Sequence, residues 1–123
     1  CHAILRGGSR TGPNYEHAQI AQVCDRLTSK GLPARVLVDC SHANSQKQHL
    51  RQAEVAASIC QQIEAGARHI FGAMLESHLV EGRQDLVPGR PLADGQSITH
   101  ACLSFEQTEP ILERLARAAA ARR

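Results

Sequence analysis

Apolar segments alternate with amphipathic segments along this chain, and this alternation is the feature that most restricts its fold. The run ARVLVDC at 34–40 is almost continuously apolar and rich in β-branched residues, a pattern typical of a strand buried on both faces. Similar runs occupy 2–6, 69–76 and 97–103, at intervals of roughly 30 residues. Buried strands that are separated by helices form parallel sheets with right-handed crossovers. The alternation therefore predicts an α/β fold.

Helical periodicity follows the first, second and fourth of these runs. The first predicted helix ends at Gly31 and places four residues on one face: Ile20, Val23, Cys24 and Leu27. The second spans roughly 46–64, with a stripe formed by Ala53, Ala56, Ala57, Cys60 and Ile63. The third spans roughly 107–120 and contains Pro110, which we place in the first turn, where its missing N–H is tolerated. The predicted order of elements is β-α-β-α-β-loop-β-α.

The spacing of these elements matches the βα unit of a (β/α)8 TIM barrel, at about half of the typical length of ~250 residues. Four parallel strands do not close a barrel by themselves. An open flavodoxin-like sheet is the alternative architecture. Because the chain begins with Cys1 and enters a strand-like run at once, we expect it to be part of a longer polypeptide.

The composition excludes several classes of function. Aromatic residues make up 2% of the chain, which leaves little surface for stacking on single-stranded nucleic acid. The net charge is +2, and the local excess of base in the final RLARAAAARR is typical of a helix terminus rather than of a nucleic-acid arm. No apolar run approaches the ~20 residues of a membrane span. We therefore expect neither nucleic acid nor a membrane as a partner.

The cysteines give information about the cellular compartment. There are five, at positions 1, 24, 40, 60 and 102. They form no CxxC pair and no spacing typical of a zinc finger or a disulfide-rich module. An odd number of widely separated cysteines is typical of reduced, mostly buried thiols. The pattern predicts a cytoplasmic protein.

Residues with binding potential fall near the carboxyl ends of the predicted strands. Arg6 follows the first strand, His42 the second and Glu76 the third, and His100 lies within the fourth. In parallel α/β folds, ligands bind at this edge of the sheet. Two imidazoles and a carboxylate suit a divalent cation such as Mn, Fe, Zn or Co. The sequence therefore predicts a metal site formed by His42, Glu76 and His100.

The first strand also predicts an anion site. Arg6 precedes Gly7 and Gly8, so a guanidinium and exposed backbone amides could hold a phosphate or a carboxylate. A metal and an anion on one edge indicate carbonyl or phosphoryl chemistry. Each residue taken singly also has a structural explanation: Arg6 as a salt-bridge partner, His42 as a capping loop residue, and Glu76 as the partner of a base.

Several longer segments resemble the class I 3-deoxy-D-arabino-heptulosonate 7-phosphate (DAHP) synthases. These segments are ILRGG, PNY, GLPARVLVDCSHANSQKQ, ESHLVEG, GRPL and GQSITHAC, and the similarity extends from residue 2 to about residue 117. The resemblance implies that residues 1–123 are the C-terminal half, strands five to eight, of a (β/α)8 barrel. It also implies a metal-dependent transferase that condenses phosphoenolpyruvate with erythrose 4-phosphate in the first step of the shikimate pathway.

The resemblance also implies roles for single residues. His42 matches a histidine ligand of the metal, Glu76 matches a glutamate ligand, and Arg6 matches an arginine that binds phosphoenolpyruvate. The family's cysteine ligand belongs to a strand outside the matched half, so no cysteine of this chain is assigned to the metal. No residue is assigned to proton transfer.

Position 100 departs from the family, which has aspartate where this chain has His100. Neutral imidazole binds the same metals but removes one negative charge. Two hypotheses stay open: His100 coordinates with an altered metal preference, or the exchange weakens both metal binding and catalysis. In either case SITHACLSF is expected to be the last barrel strand. His100 and Cys102 would then both point inward, since residues two apart in a strand share a side.

Two functional interpretations follow. In the first, the chain is part of an enzyme that is catalytic when joined to its N-terminal half and inactive alone. In the second, it is a non-catalytic metal- or anion-binding α/β module or a degenerate homologue. A half-barrel leaves sheet edges open, and such edges pair readily, so a homo-oligomer is also predicted.

Overall fold

The structure, a computed structural model, describes residues 2–122. Its centre is a three-stranded parallel sheet in the order β1-β2-β3, formed by β1 (Ala3–Leu5), β2 (Val36–Asp39) and β3 (Ile70–Met74). Helix α1 (His17–Ser29) connects β1 to β2, and helix α2 (Gln52–Glu64) connects β2 to β3. The prediction of an α/β fold with parallel strands is confirmed.

The fourth predicted strand does not join this sheet. Four short strands follow β3, namely β4 (Ser77–His78), β5 (Val80–Arg83), β6 (Gln96–Ser97) and β7 (Leu103–Ser104), before helix α3 (Phe105–Ala121). They form two separate parallel pairs, β4 with β7 and β5 with β6. The segment 97–103 is therefore divided between two pairs, and within the described residues the sheet has three strands, not four.

The reason lies in the backbone hydrogen bonds around Cys102. Its N–H and C=O both pair with Gly82, in an antiparallel bridge, and the backbone of residues 98–100 bends. Gly82 has φ +86°, a conformation that favours glycine. The backbone of Cys102 is thus bonded to the segment that follows β3, while the next residue, Leu103, donates to the Glu76 carbonyl just beyond β3.

The core lies between the sheet and the helices. Val36, Val38 and Ile70 of the sheet pack with Ile59 and Cys60 of α2, and all five are buried. On the opposite face, Ile4 and Met74 are exposed. The prediction that the strands are buried on both faces is therefore wrong for this part of the chain, because the described helices cover one face.

Helix α2 begins later than predicted and buries a stripe that shares Ala56, Cys60 and Ile63 with the predicted one. Gln46 and Lys47 have φ values of 53° and 60°, which a right-handed helix does not accommodate. The chain instead turns through 42–47 and passes a 3₁₀ turn, His49–Arg51, before α2 begins. The side chains that α2 buries are Gln52, Val55, Ala56, Ile59, Cys60 and Ile63, whereas Ala53 of the predicted stripe is exposed.

Helix α3 begins at Phe105 because of a capping box. The Ser104 side chain accepts from the Gln107 backbone N–H, and the Gln107 side chain accepts from the Ser104 N–H. Pro110 therefore lies in the second turn rather than the first, where it removes the hydrogen bond to the Glu106 carbonyl. No helix among the described residues is long and apolar enough to cross a membrane.

Candidate metal and substrate site

Three parallel strands bring their carboxyl ends to one edge of the sheet. Arg6 follows β1, His42 lies three residues after the end of β2, and Glu76 lies two residues after β3. A cavity of about 440 Å³ opens at this edge and is lined by these side chains together with His100. The structure thus brings together all four residues that the sequence predicts for the site.

His42, Glu76 and His100 form a compact cluster. One possible ligand atom from each lies within 4.8 Å of the others. His42 Nε2 is 3.5 Å from Glu76 Oε1, and His100 Nδ1 is 2.8 Å from the same oxygen. The two rings meet edge to face with centroids 5.2 Å apart. The predicted metal ligands therefore converge, while their metal-binding role stays a prediction.

His100 reaches this cluster from a bend rather than from a strand. Its side chain is 60% exposed, whereas Cys102 is buried and its Sγ lies 3.5 Å from the His100 carbonyl oxygen. The expectation that both side chains point inward from one last strand is therefore wrong. The bend at 98–100 breaks the two-residue alternation and turns the imidazole toward Glu76.

A buried carboxylate, Asp39, contacts the cluster through His42. Asp39, the last residue of β2, is fully buried. Its Oδ1 accepts from the Ser41 backbone N–H at 2.8 Å and from Ser41 Oγ at 2.6 Å. Its Oδ2 lies 2.8 Å from His42 Nδ1 and 3.9 Å from Arg6 Nε. Asp39 is therefore the neighbour of both the predicted metal ligand and the predicted anion-binding residue.

Two buried amide side chains hold the strand ends in place. Gln52, fully buried at the start of α2, donates to the Glu76 carbonyl at 3.0 Å and accepts from the Glu76 N–H at 2.8 Å. Asn44 donates to the carbonyls of Leu5 and Asp39 at 3.0 and 2.8 Å. These amides replace sheet hydrogen bonds where the strands end, and so fix the backbone beside the site.

The predicted anion clamp is only partly present. The Arg6 side chain is 56% exposed at the edge of the cavity. The backbone amides of Gly7 and Gly8, however, donate to Asn14 Oδ1 at 2.8 Å and to the Gly12 carbonyl at 3.0 Å. The prediction of exposed amides is therefore wrong, because a tight loop satisfies both of them.

Further basic side chains line the cavity: Lys47, His49 and Arg83. His49 Nε2 lies 2.8 Å from Glu81 Oε1, and this hydrogen bond, with a second from Gln107, lowers the pKa of the Glu81 carboxyl. The cavity therefore faces more bases than acids, which favours an anionic ligand.

Sequence reasoning missed the residues that support the site. A carboxylate inside an otherwise apolar strand run was the available signal for Asp39. Asn44 and Gln52 stand in polar segments and gave no comparable signal. His42 adds a backbone signal that the sequence does not contain, since its φ of 50° is uncommon for a non-glycine residue and is typical of functional sites.

Comparison with known proteins places the chain in context. Residues 1–113 match the DAHP synthetase I family. A phospho-2-dehydro-3-deoxyheptonate aldolase, Phe-sensitive, from Escherichia coli (strain K12) is 53% identical over 123 residues, which is 100% of this chain and 35% of that protein. A phospho-2-dehydro-3-deoxyheptonate aldolase from Haemophilus influenzae is 50% identical over 123 residues, or 34% of its length.

A solved structure gives the same result. The phospho-2-dehydro-3-deoxyheptonate aldolase from Francisella tularensis SCHU S4 superimposes with a TM-score of 0.93 at 45% sequence identity, covering 99% of this chain and 35% of that one. The chain thus spans about one third of the length of the relatives that it matches. Since the family match covers most of the sequence, the protein belongs to the DAHP synthetase I family.

Proposed function

We propose that this chain supplies the metal-binding edge of a DAHP synthase, a transferase that condenses phosphoenolpyruvate with erythrose 4-phosphate in the shikimate pathway. The observation that carries the proposal is the convergence of His42, Glu76 and His100 beside Arg6 in a chain of this family. The names of the relatives support the reaction class.

The donor set fits a divalent metal. Two imidazoles and one carboxylate suit Mn, Fe, Zn or Co, and the three ligand atoms are close enough to share one ion. When bound, the ion would act as a Lewis acid on a carbonyl oxygen. We include His100 among the ligands because its ring already lies against Glu76. At 2.8 Å this contact is a hydrogen bond between His100 Nδ1 and the carboxylate, so both hypotheses for position 100 stay open until the metal preference of His100→Asp is measured.

Arg6 would hold the phosphoenolpyruvate anion at the cavity edge, through its exposed guanidinium. Lys47 and Arg83 line the same cavity and would raise the local concentration of phosphorylated substrates. In the reaction, a bond forms between carbon 3 of phosphoenolpyruvate and the aldehyde carbon of erythrose 4-phosphate. Water adds at carbon 2, and inorganic phosphate leaves.

We further propose that the chain is a segment of a (β/α)8 barrel; the comparisons do not support the C-terminal half, strands five to eight, that the resemblance implies. Its three parallel strands and its coverage of about one third of the relatives correspond to three strands of eight rather than to a half. The exposed sheet face with Ile4 and Met74 would pack against the remaining strands. Under this proposal the chain is inactive alone, and its location is cytoplasmic.

A chimera tests the proposal. The aligned segment of the E. coli Phe-sensitive relative is replaced by this chain, and phosphoenolpyruvate consumption is measured with erythrose 4-phosphate. We expect activity that is lost on chelation and recovered with added Mn²⁺, Fe²⁺, Co²⁺ or Zn²⁺. His42→Ala should abolish it. The matched control, His17→Ala on the exposed surface of α1, should leave it unchanged.

The same chimera separates the alternative function. A folded chimera that binds metal and phosphate but consumes no phosphoenolpyruvate would support a non-catalytic metal- or anion-binding module instead. For the chain on its own, without the remaining strands, we propose a homo-oligomer formed through the exposed sheet face. Sedimentation of the chain alone checks it, since a monodisperse monomer would contradict it.

A further inference from the structure

The hydrogen bonds around Asp39 fix the position of a proton on His42. Ser41 Oγ has one hydrogen, and its 2.6 Å contact with Asp39 Oδ1 uses it, because an ionised carboxylate can only accept. His42 Nδ1 lies 2.7 Å from Ser41 Oγ and 2.8 Å from Asp39 Oδ2. Both neighbours therefore act as acceptors toward the ring, and Nδ1 carries a hydrogen.

The other ring nitrogen is left to face the cavity. In the neutral imidazole with a hydrogen on Nδ1, Nε2 has a free lone pair. His42 Nε2 points at Glu76 Oε1, 3.5 Å away, and that oxygen is an acceptor as well. A cation held between these two acceptors would satisfy both, and the tautomer that Asp39 selects is the one whose Nε2 can bind a metal.

Burial makes Asp39 suitable for orienting the His42 ring. The carboxylate is fully buried, so its hydrogen bonds are weakly screened. His42 also has a strained left-handed backbone with φ 50°, which the surrounding contacts must hold. Asp39 supplies two of these contacts, since it accepts from the Ser41 backbone N–H and bonds the His42 ring.

We propose that Asp39 is a positioning residue that orients His42 and selects its metal-binding tautomer. It does so as the buried end of a chain that runs from carboxylate through imidazole to metal, the arrangement that orients many histidine ligands. Because Arg6 Nε lies 3.9 Å from the same Oδ2, Asp39 also ties the orientation of the metal ligand to that of the substrate arginine. The inference rests on the proposed metal role of His42.

The test is Asp39→Asn, which keeps the shape and replaces Oδ2 by an amide donor when Oδ1 still accepts from Ser41. His42 Nδ1 must then accept, and the hydrogen moves to Nε2, where it blocks metal binding. We expect the dissociation constant for Co²⁺, measured by chelator competition, to rise by roughly 10–100-fold. Asp25→Asn, the same exchange at an exposed position of α1, should change it less than twofold.

The second measurement is the imidazole ¹⁵N chemical shifts of the metal-free protein at pH 8. These shifts would not change if Asp39 only stabilised the fold. The wild-type His42 should carry its hydrogen on Nδ1, and Asp39→Asn should move it to Nε2. A wild-type hydrogen on Nε2, or unchanged Co²⁺ affinity in a folded Asp39→Asn protein, overturns the inference. If that variant fails to fold, the wild-type spectrum still decides.

The outcomes also separate the two proposals. If the wild-type protein binds no Co²⁺ but His42 carries its hydrogen on Nδ1, the proposed metal function fails while the orienting role of Asp39 stands. If Co²⁺ binds and the hydrogen lies on Nε2 in the metal-free protein, the metal function stands and the role of Asp39 fails.

Discussion

The sharpest prediction concerns Gln52, which lines the cavity and whose side-chain hydrogen bonds both go to the backbone of Glu76. Its amide accepts from the Glu76 N–H at 2.8 Å and donates to the Glu76 C=O at 3.0 Å, from a fully buried position. The same C=O also accepts from the Leu103 N–H at 3.0 Å. Gln52→Met keeps a side chain of similar length and flexibility but removes both of these amide groups. The Glu76 N–H then loses its hydrogen bond beside the core, whereas the Glu76 C=O keeps the one from Leu103.

The magnitude follows from the cost of an unsatisfied buried group. The unsatisfied N–H costs about 1–3 kcal/mol, and the lost second hydrogen bond of the C=O adds about 1 kcal/mol, which gives an upper range near ~4 kcal/mol. Because Glu76 is half-buried, water can reach part of its backbone, and we expect a loss of about 2–3 kcal/mol in the free energy of unfolding. This corresponds to a decrease of roughly 1–2 M in the urea midpoint.

Equilibrium urea unfolding followed by circular dichroism measures this loss. The matched control is Gln61→Met on the exposed surface of the same helix, which should stay within about 0.5 kcal/mol of the wild type. Weaker Co²⁺ binding by Gln52→Met would show that the backbone of Glu76 positions its carboxylate. A midpoint for Gln52→Met equal to that of Gln61→Met would refute the reasoning.

Three further changes test other parts of the site. His100→Asp should raise the affinity for Mn²⁺ relative to Zn²⁺ by roughly tenfold, or about 1.4 kcal/mol, because oxygen ligands favour Mn²⁺; equal ratios in competition titrations would remove His100 from the ligand set. The pKa of Glu81 is lowered by His49, so the carboxylate stabilises the fold above its unfolded pKa of about 4.3. The stability advantage of the wild type over Glu81→Gln in urea should therefore shrink as the pH falls below this value. Gly7→Ala should cost at least about 1 kcal/mol more than Gly12→Ala, because both have positive φ but an added Cβ meets the chain at 2.9 Å in Gly7 alone of the two; equal costs would show that the loop yields.

Local sequence patterns were sufficient for the presence of the three helices and for the position of the site, but not for where α2 and α3 begin. Apolar β-branched runs mark β1, β2 and β3, and parallel strands bring their carboxyl ends to one edge. For this reason Arg6, His42 and Glu76 could be placed together before their geometry was known. Their chemistry also indicated the kind of ligand, since residue type alone limits which metals and anions a site prefers.

The tertiary structure decided which backbone and side-chain groups satisfy each other over long separations. The run at 97–103 has a strand pattern, but Cys102 pairs with Gly82, so the central sheet has three strands in the described chain. In the same way, the sequence predicted exposed backbone amides at Gly7 and Gly8, whereas the structure shows both hydrogen-bonded within their loop.

The sequence by itself therefore determined the α/β alternation, the edge at which polar residues collect and the types of side chain that meet there. The tertiary structure alone decided that Asp39 lies under His42, that Gln52 holds Glu76, and that His100 turns toward the cluster from a bend. The physical reason is that periodicity reports which side of an element is buried. A buried polar group is satisfied by a partner that can lie anywhere along the chain, and only folding selects it.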